Sequence, residues 1–188
     1  MRGALPGFEV LDGEASRVEA GSEGLLFLPY LQGERTPIWD VAARGAYVGL
    51  SLQHARGHLW RALLEGIALS FVDCQAVLAE SGVHLREVTA ANGGGKSALF
   101  RQILSDALGV PLAYTPDAGG TVAGAAILAA LGAGALESPE EARAWRGPVV
   151  RHQPAPAATA RYRELLAIRR EIYGGLRGPF HRLAALRG

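Results

Sequence analysis

The chain has 188 residues, 49% of them hydrophobic and 20% charged, with 25 Gly and 10 Pro, a composition that suits one turn-rich globular domain and excludes a disordered or low-complexity chain. Its net charge is only +1, yet residues 1–142 sum to −7 and residues 143–188 to +8. The tail's Arg residues are dispersed among Leu, Ile, Tyr and Ala, so we read a solvated helix face there, and neither a nucleic-acid nor a membrane partner.

Cys74 is the only cysteine, which excludes an intrachain disulfide and makes a reducing, cytoplasmic compartment the expectation. Residues 1–23 show no clear period, and Gly-Ala-Leu-Pro-Gly after Met1-Arg2 offers no signal-peptide core. We expect 10–20 residues at each end to be poorly packed. Leu25–Leu31 is an apolar run of strand length interrupted by Pro29, hence an edge or irregular strand. Gly33 to Asp40 reads as a loop in which Glu34 and Arg35 either face a substrate or, the favoured reading, form a local ion pair.

A short strand is expected within Ala46–Leu52, then a long helix over about His54–Ser81. Leu59, Leu63, Ile67, Phe71, Cys74 and Leu78 recur at steps of four and three, with His58, Arg61 and Glu65 as a polar stripe and Cys74 as inert core. His54 and His58 have i, i+4 spacing but no third ligand, so no metal site is expected.

Glu87–Ala91 reads as a strand, Asn92-Gly93-Gly94-Gly95 as a tight loop, and Ser97–Leu108 as a helix with Phe100, Ile103, Leu104, Ala107 and Leu108 on one face. Gly109 stands where a left-handed cap belongs, and Pro111 prevents continuation. Leu112–Thr115 is a short strand. Thr121–Leu136 is the most apolar stretch, too short to span a bilayer of about 20 residues, and is read as a buried helix over 121–134. A Pro-bearing connector follows over Pro139–Pro156, then an amphipathic helix over about 159–173 with its far end left open. Strand–loop–helix–strand–helix order indicates an α/β class.

A glycine turn at a helix N-terminus leaves bare backbone N–H groups for a nucleotide. Ala90-x-x-x-x-Gly95-Lys96-Ser97 falls one residue short of a phosphate loop, but the βα units and the Asp-ended strand such an ATPase needs do not follow. Lys96, the only lysine, either reaches a phosphate or stands in solvent; Ser97 is favoured as an N-cap.

Taken together, three segments resemble the FGGY carbohydrate kinases: residues 24–69, with Gly45-x-Tyr47-x-Gly49-Leu50 ahead of His58-Leu59-x-x-Ala62-Leu63-Leu64-Glu65; residues 92–110; and residues 119–134. The LPYL-x-GERTP-x-WD stretch is of the xylulokinase kind. The resemblance implies an actin- and hexokinase-like (ribonuclease H-like) fold of two α/β domains closing on a cleft, and ATP-dependent phosphorylation of a sugar or polyol, with Mg2+ carried by ATP. It also implies that Asn92 to Ser97, with Gly93, Gly94, Gly95, Lys96 and Ser97 as contacts, cradle the adenosine end of ATP; Glu34 and Arg35 keep both readings, facing the sugar or forming a local ion pair. The catalytic base is implied to lie in an N-terminal domain, a partner this sequence does not contain. On this basis residues 1–23 are a lead-in, 24–136 the nucleotide-binding domain, and 137–188 a connector and helix of the same domain. Two other readings remain open here: a non-catalytic ATP-binding or interaction module, and the phosphate-loop ATPase. Self-association through an uncovered interdomain face is plausible.

Overall fold

A computed structural model describes residues 7–91, 93–116, 120–145 and 147–186. Among them are helix α1 (Phe8–Ala15), strands β1 (Leu26–Leu28) and β2 (Ala46–Val48), helix α2 (Arg56–Glu80), strand β3 (Val88–Ala90), helix α3 (Ala98–Leu108), strand β4 (Leu112–Tyr114), helix α4 (Gly120–Gly132), strand β5 (Val150–His152) and helix α5 (Pro156–Ala185). Strands β1 and β2 form an antiparallel pair; β3 and β4 are parallel across α3, and β5 adds antiparallel to β4.

The turn chemistry explains the boundaries. β1 stops before Pro29, which cannot continue a ladder. Ser97 caps α3, its Oγ accepting from Phe100 N at 3.0 Å, and Gly109 ends it in the left-handed region at φ 68°. The main core joins Leu64, Ala68 and Leu69 of α2 to Ile103, Leu104, Ala107 and Leu108 of α3, with Leu112 and Tyr162.

The α2 face that the sequence presents as polar is the buried one. Arg61, Glu65 and Asp73 are 8%, 3% and 4% exposed, whereas Phe71 of the expected apolar stripe is 50% exposed and Leu78 41%. Each buried charge is met from a distant element. Glu65 accepts from Gly21 N (3.0 Å), Ser22 Oγ (2.9 Å), Arg61 Nε (2.7 Å) and Tyr162 OH (2.9 Å). Asp73 is paired with the buried Arg169 and with Arg170. Cys74, expected in the core, is half-buried, its Sγ 3.7 Å from the Thr36 carbonyl oxygen.

Two further expectations fail, and two elements extend the reading. The helix read as buried, α4, has no buried residue; Val122 is 78% and Leu128 72% exposed, since no strand or helix covers it among the described residues. The described part of each end is anchored where loose ends were expected. Trp60 Nε1 donates to Asp12 Oδ1 at 2.8 Å and its ring stacks on Phe8, while Tyr173 and Phe180 of α5 are buried against β1. The connector contains β5, and α5 runs twelve residues past Tyr173, to Ala185. By length and composition α2 is apolar enough to cross a membrane, but its buried charges and its packing on α1, α3 and β1 are those of a core helix.

Candidate functional site

Between β3 and α3 the chain bends through Gly93–Ser97, with Gly94–Lys96 in one 3-10 turn; Asn92 lies outside the described residues. Gly93 and Gly94 are exposed and Gly95 is buried. None of the three needs a left-handed backbone, so their use has another cause. A Cβ on Gly95 would meet the Tyr114 ring at 3.1 Å, one on Gly94 only Phe100 at 3.7 Å, and one on Gly93 nothing within 4 Å. Gly95 is glycine for want of room. Gly93 and Gly94 leave backbone bare at the N-terminus of a helix, where unpaired N–H groups and the helix dipole favour anions and polar ring atoms. The bend is open to solvent, not closed into the core.

Lys96 is exposed on this bend, and Ser97 acts as the helix cap. The bend is fastened from beneath by a residue that sequence reasoning missed. Arg101 Nη1 donates to the carbonyl oxygens of Gly95 (2.5 Å) and Lys96 (3.1 Å). Its sequence signals were a charged residue on a helix whose other face is apolar and a place inside the 92–110 segment that resembles the FGGY kinases, and neither gave it a role.

Glu34 and Arg35 do not form the expected ion pair. Glu34 Oε1 instead accepts the backbone N–H groups of Arg35 (2.7 Å) and Thr36 (3.3 Å), and the Arg35 side chain is exposed. The loop closes on itself through Glu34 and Asp40, each N–H donating to the other's carbonyl at 2.9 Å. Asp40 then ties it to α5: the carboxylate, 4% exposed, takes hydrogen bonds from Ala42 N, Tyr173 OH (2.6 Å) and His181 Nε2 (2.9 Å). These anchors differ from those of the glycine bend, which are α3, β4 and β5.

His54 and His58 each spend Nδ1 on a backbone N–H, of Ser51 (2.9 Å) and Ala55 (3.1 Å). Among the described residues no three His, Cys, Asp or Glu side chains gather as metal ligands. A cleft of about 520 Å³ lies at the start of α2, lined by Glu14, Arg17, Glu23 and His58 among others, and one of about 370 Å³ lies between Gly21 and α5. Neither adjoins the glycine bend. The phosphate-loop reading loses its context as well: beyond α3 and β4 the chain runs into an uncovered helix and an antiparallel edge strand, not further βα units.

Comparison with known proteins places these observations. Residues 8–133 match the family description "FGGY family of carbohydrate kinases, C-terminal domain". The chain is 39% identical over 127 residues to a xylulose kinase of Staphylococcus epidermidis, covering 68% of this chain and 26% of that protein. It is 33% identical over 162 residues to a gluconokinase of Bacillus subtilis, covering 86% and 32%. Its fold superposes on a xylulose kinase of Rhodospirillum rubrum with a TM-score of 0.79 and 37% identity, over 93% of this chain and 35% of that one. For a gluconate kinase of Lactobacillus acidophilus the TM-score is 0.81 at 30% identity, over 97% and 37%. The chain therefore spans about a third or less of the relatives it matches. Its fold is the actin- and hexokinase-like one of those kinases, and the chain belongs to the FGGY family of carbohydrate kinases, matching its C-terminal domain.

Proposed function

We propose that this chain is the ATP-binding part of a carbohydrate kinase, one that transfers the γ-phosphate of ATP to a sugar or polyol hydroxyl, with a xylulose-like substrate favoured. The observation that carries the reading is the solvent-facing Gly93–Ser97 bend at the N-terminus of α3, in a chain of this family. Gly93, Gly94 and Gly95 would approach the adenosine end closely, with Lys96 and Ser97 at the margin and Glu34 and Arg35 toward the sugar. The donors present suit a nucleotide, and in a kinase of this family Mg2+ would arrive on its phosphates. A cytoplasmic location goes with this reading.

Phosphoryl transfer needs positioned groups on both sides of the transferred phosphate, and we place the base in an N-terminal domain outside this sequence. The uncovered apolar surface of α4 supports a missing lobe, because a 13-residue helix without a charge or a buried residue exposes surface that folded proteins usually cover.

Two measurements test the proposal. ADP titrated against the chain should bind, and Gly94→Asp should abolish binding. The new Cβ has room, so the fold should survive while a carboxylate confronts the ligand. Unchanged affinity removes the bend from the site. Incubated with ATP and either xylulose or glycerol, the chain alone should release no ADP; steady release would show that the chemistry lies within it.

A further inference from the structure

Arg101 lies one turn into α3 and is 7% exposed. Three elements converge on it. Its own helix carries it under the bend, where Nη1 donates to Gly95 O and Lys96 O. From β4, the Tyr114 ring lies against the guanidinium, 4.3 Å from Cζ to the ring centre. From β5, His152 Nε2 accepts from Arg101 Nε at 3.0 Å.

In a trans peptide the C=O and the following N–H point in opposite directions. Drawing the Gly95 and Lys96 carbonyls inward therefore turns the following N–H groups the other way. That of Lys96 meets Gly93 O at 3.2 Å and stiffens the turn. That of Ser97 is aimed outward at the helix N-terminus.

We infer that Arg101 is a positioning residue for the nucleotide, holding the Gly95 and Lys96 carbonyls inward so that the turn is stiff and the Ser97 amide faces the ligand, with neutral His152 as the group that sets Arg101. This rests on the kinase function proposed for the chain. The arrangement fixes the state of His152. Because Nε2 accepts from Arg101, its proton sits on Nδ1, with Gln102 Oε1 as acceptor at 3.1 Å. A second proton would place two cationic donors face to face and open the clamp.

The groups that face this imidazole are Arg101, Gln102 and Asp106 of α3, while Ser105 Oγ and Leu112 of β4 meet the backbone of the same residue. Burial and the Arg101 charge push its pKa down, against a smaller pull upward from Asp106. The clamp is thus intact at neutral pH and is lost as His152 gains its proton.

The test titrates ADP against the full 188-residue chain over about pH 5 to 8, reading the affinity and the amide shifts of Gly93–Ser97. Arg101→Met should weaken ADP about tenfold or more, on the scale of one charge-assisted hydrogen bond, and Arg101→Lys should recover part of that. The affinity of wild type should fall toward acid more steeply than that of His152→Gln, whose Oε1 can accept from Arg101 at any pH; the paired comparison cancels protonation of ADP itself. If Arg101→Met fails to fold, Arg101→Lys and His152→Gln carry the test. Wild-type affinity and unmoved amide shifts in the Arg101 variants overturn the positioning role, and parallel pH profiles overturn the part given to His152. Absence of ADP binding by wild type overturns the nucleotide reading itself, and this inference with it.

Discussion

Glu65 shows how much of the protein hangs on one side chain. Its carboxylate, 3% exposed, gathers Arg61 from its own helix, Tyr162 from α5, and Gly21 and Ser22 from the turn before β1. Ser22 and Glu23 both sit at positive φ, 48° and 53°, a conformation that costs non-glycine residues about 1 kcal/mol or more each. The buried carboxylate holds that turn in place. Arg61 meanwhile donates to Val18 O (3.1 Å) and to Tyr162 OH (3.1 Å). Glu65→Ala removes one partner of a buried pair and strands Arg61, so it should cost about 3–5 kcal/mol in urea unfolding. Adding Arg61→Met should return part of the loss, because two apolar side chains cost less than one unpaired buried charge. A single mutant within about 0.5 kcal/mol of wild type would mean the network carries no stability. The i, i+4 spacing of Arg61 and Glu65 is plain in the sequence. Their burial is not, because the groups that satisfy them lie 43 to 101 residues away in the chain.

Among the glycines of the described residues, the one that lets another element come closest is Gly66, where α2 meets β1. A Cβ there would stand 2.3 Å from Phe27 O and 3.1 Å from Phe27 C, against backbone that cannot swing aside. Gly66→Ala gains helix propensity, about 1 kcal/mol. It should nevertheless destabilise the protein by about 1–3 kcal/mol, the range for overpacking, as read by thermal or urea unfolding. A stabilised variant would show that α2 can move off β1 freely. The same contact explains what the hydrophobic period could and could not say. It gave α2 its length and α3 its apolar face, since Ile103, Leu104, Ala107 and Leu108 are buried as their spacing requires. It misassigned the buried side of α2, because Gly66, Ala62 and Ala68 mark close packing without adding strongly to an apolar stripe. The glycine bend was legible from composition alone, whereas Arg101 beneath it was not. The end of α5 was hidden for another reason. The helix continues through Gly174, Gly175, Gly178 and Pro179 because Phe180 and His181 find partners in the core and at Asp40.

Asp40 ties two parts of the molecule distant in sequence, the loop after β1 and the later turns of α5. Burial by itself would push its carboxyl pKa up. The hydrogen bonds from Tyr173, His181 and Ala42 N–H outweigh that and bring it from 3.8 down to about 2. A carboxylate whose folded pKa lies below its unfolded value stabilises the fold fully above the unfolded pKa. That contribution fades as pH falls from 3.8 toward 2, because the unfolded chain takes up its proton first. At neutral pH Asp40→Asn should therefore loosen the docking of α5, lowering the unfolding midpoint and exposing Tyr173. Between about pH 4 and 2, by contrast, wild type should lose stability more steeply than the variant, whose amide does not titrate. Other carboxylates add an acid slope common to both proteins, so the informative quantity is the difference between the two curves. Curves that stay parallel down to about pH 2 would mean that the charge of Asp40 is not what holds α5 to the loop. The clasp would then rest on the packing of Tyr173 and Phe180, and shortening Phe180 should cost more than neutralising Asp40.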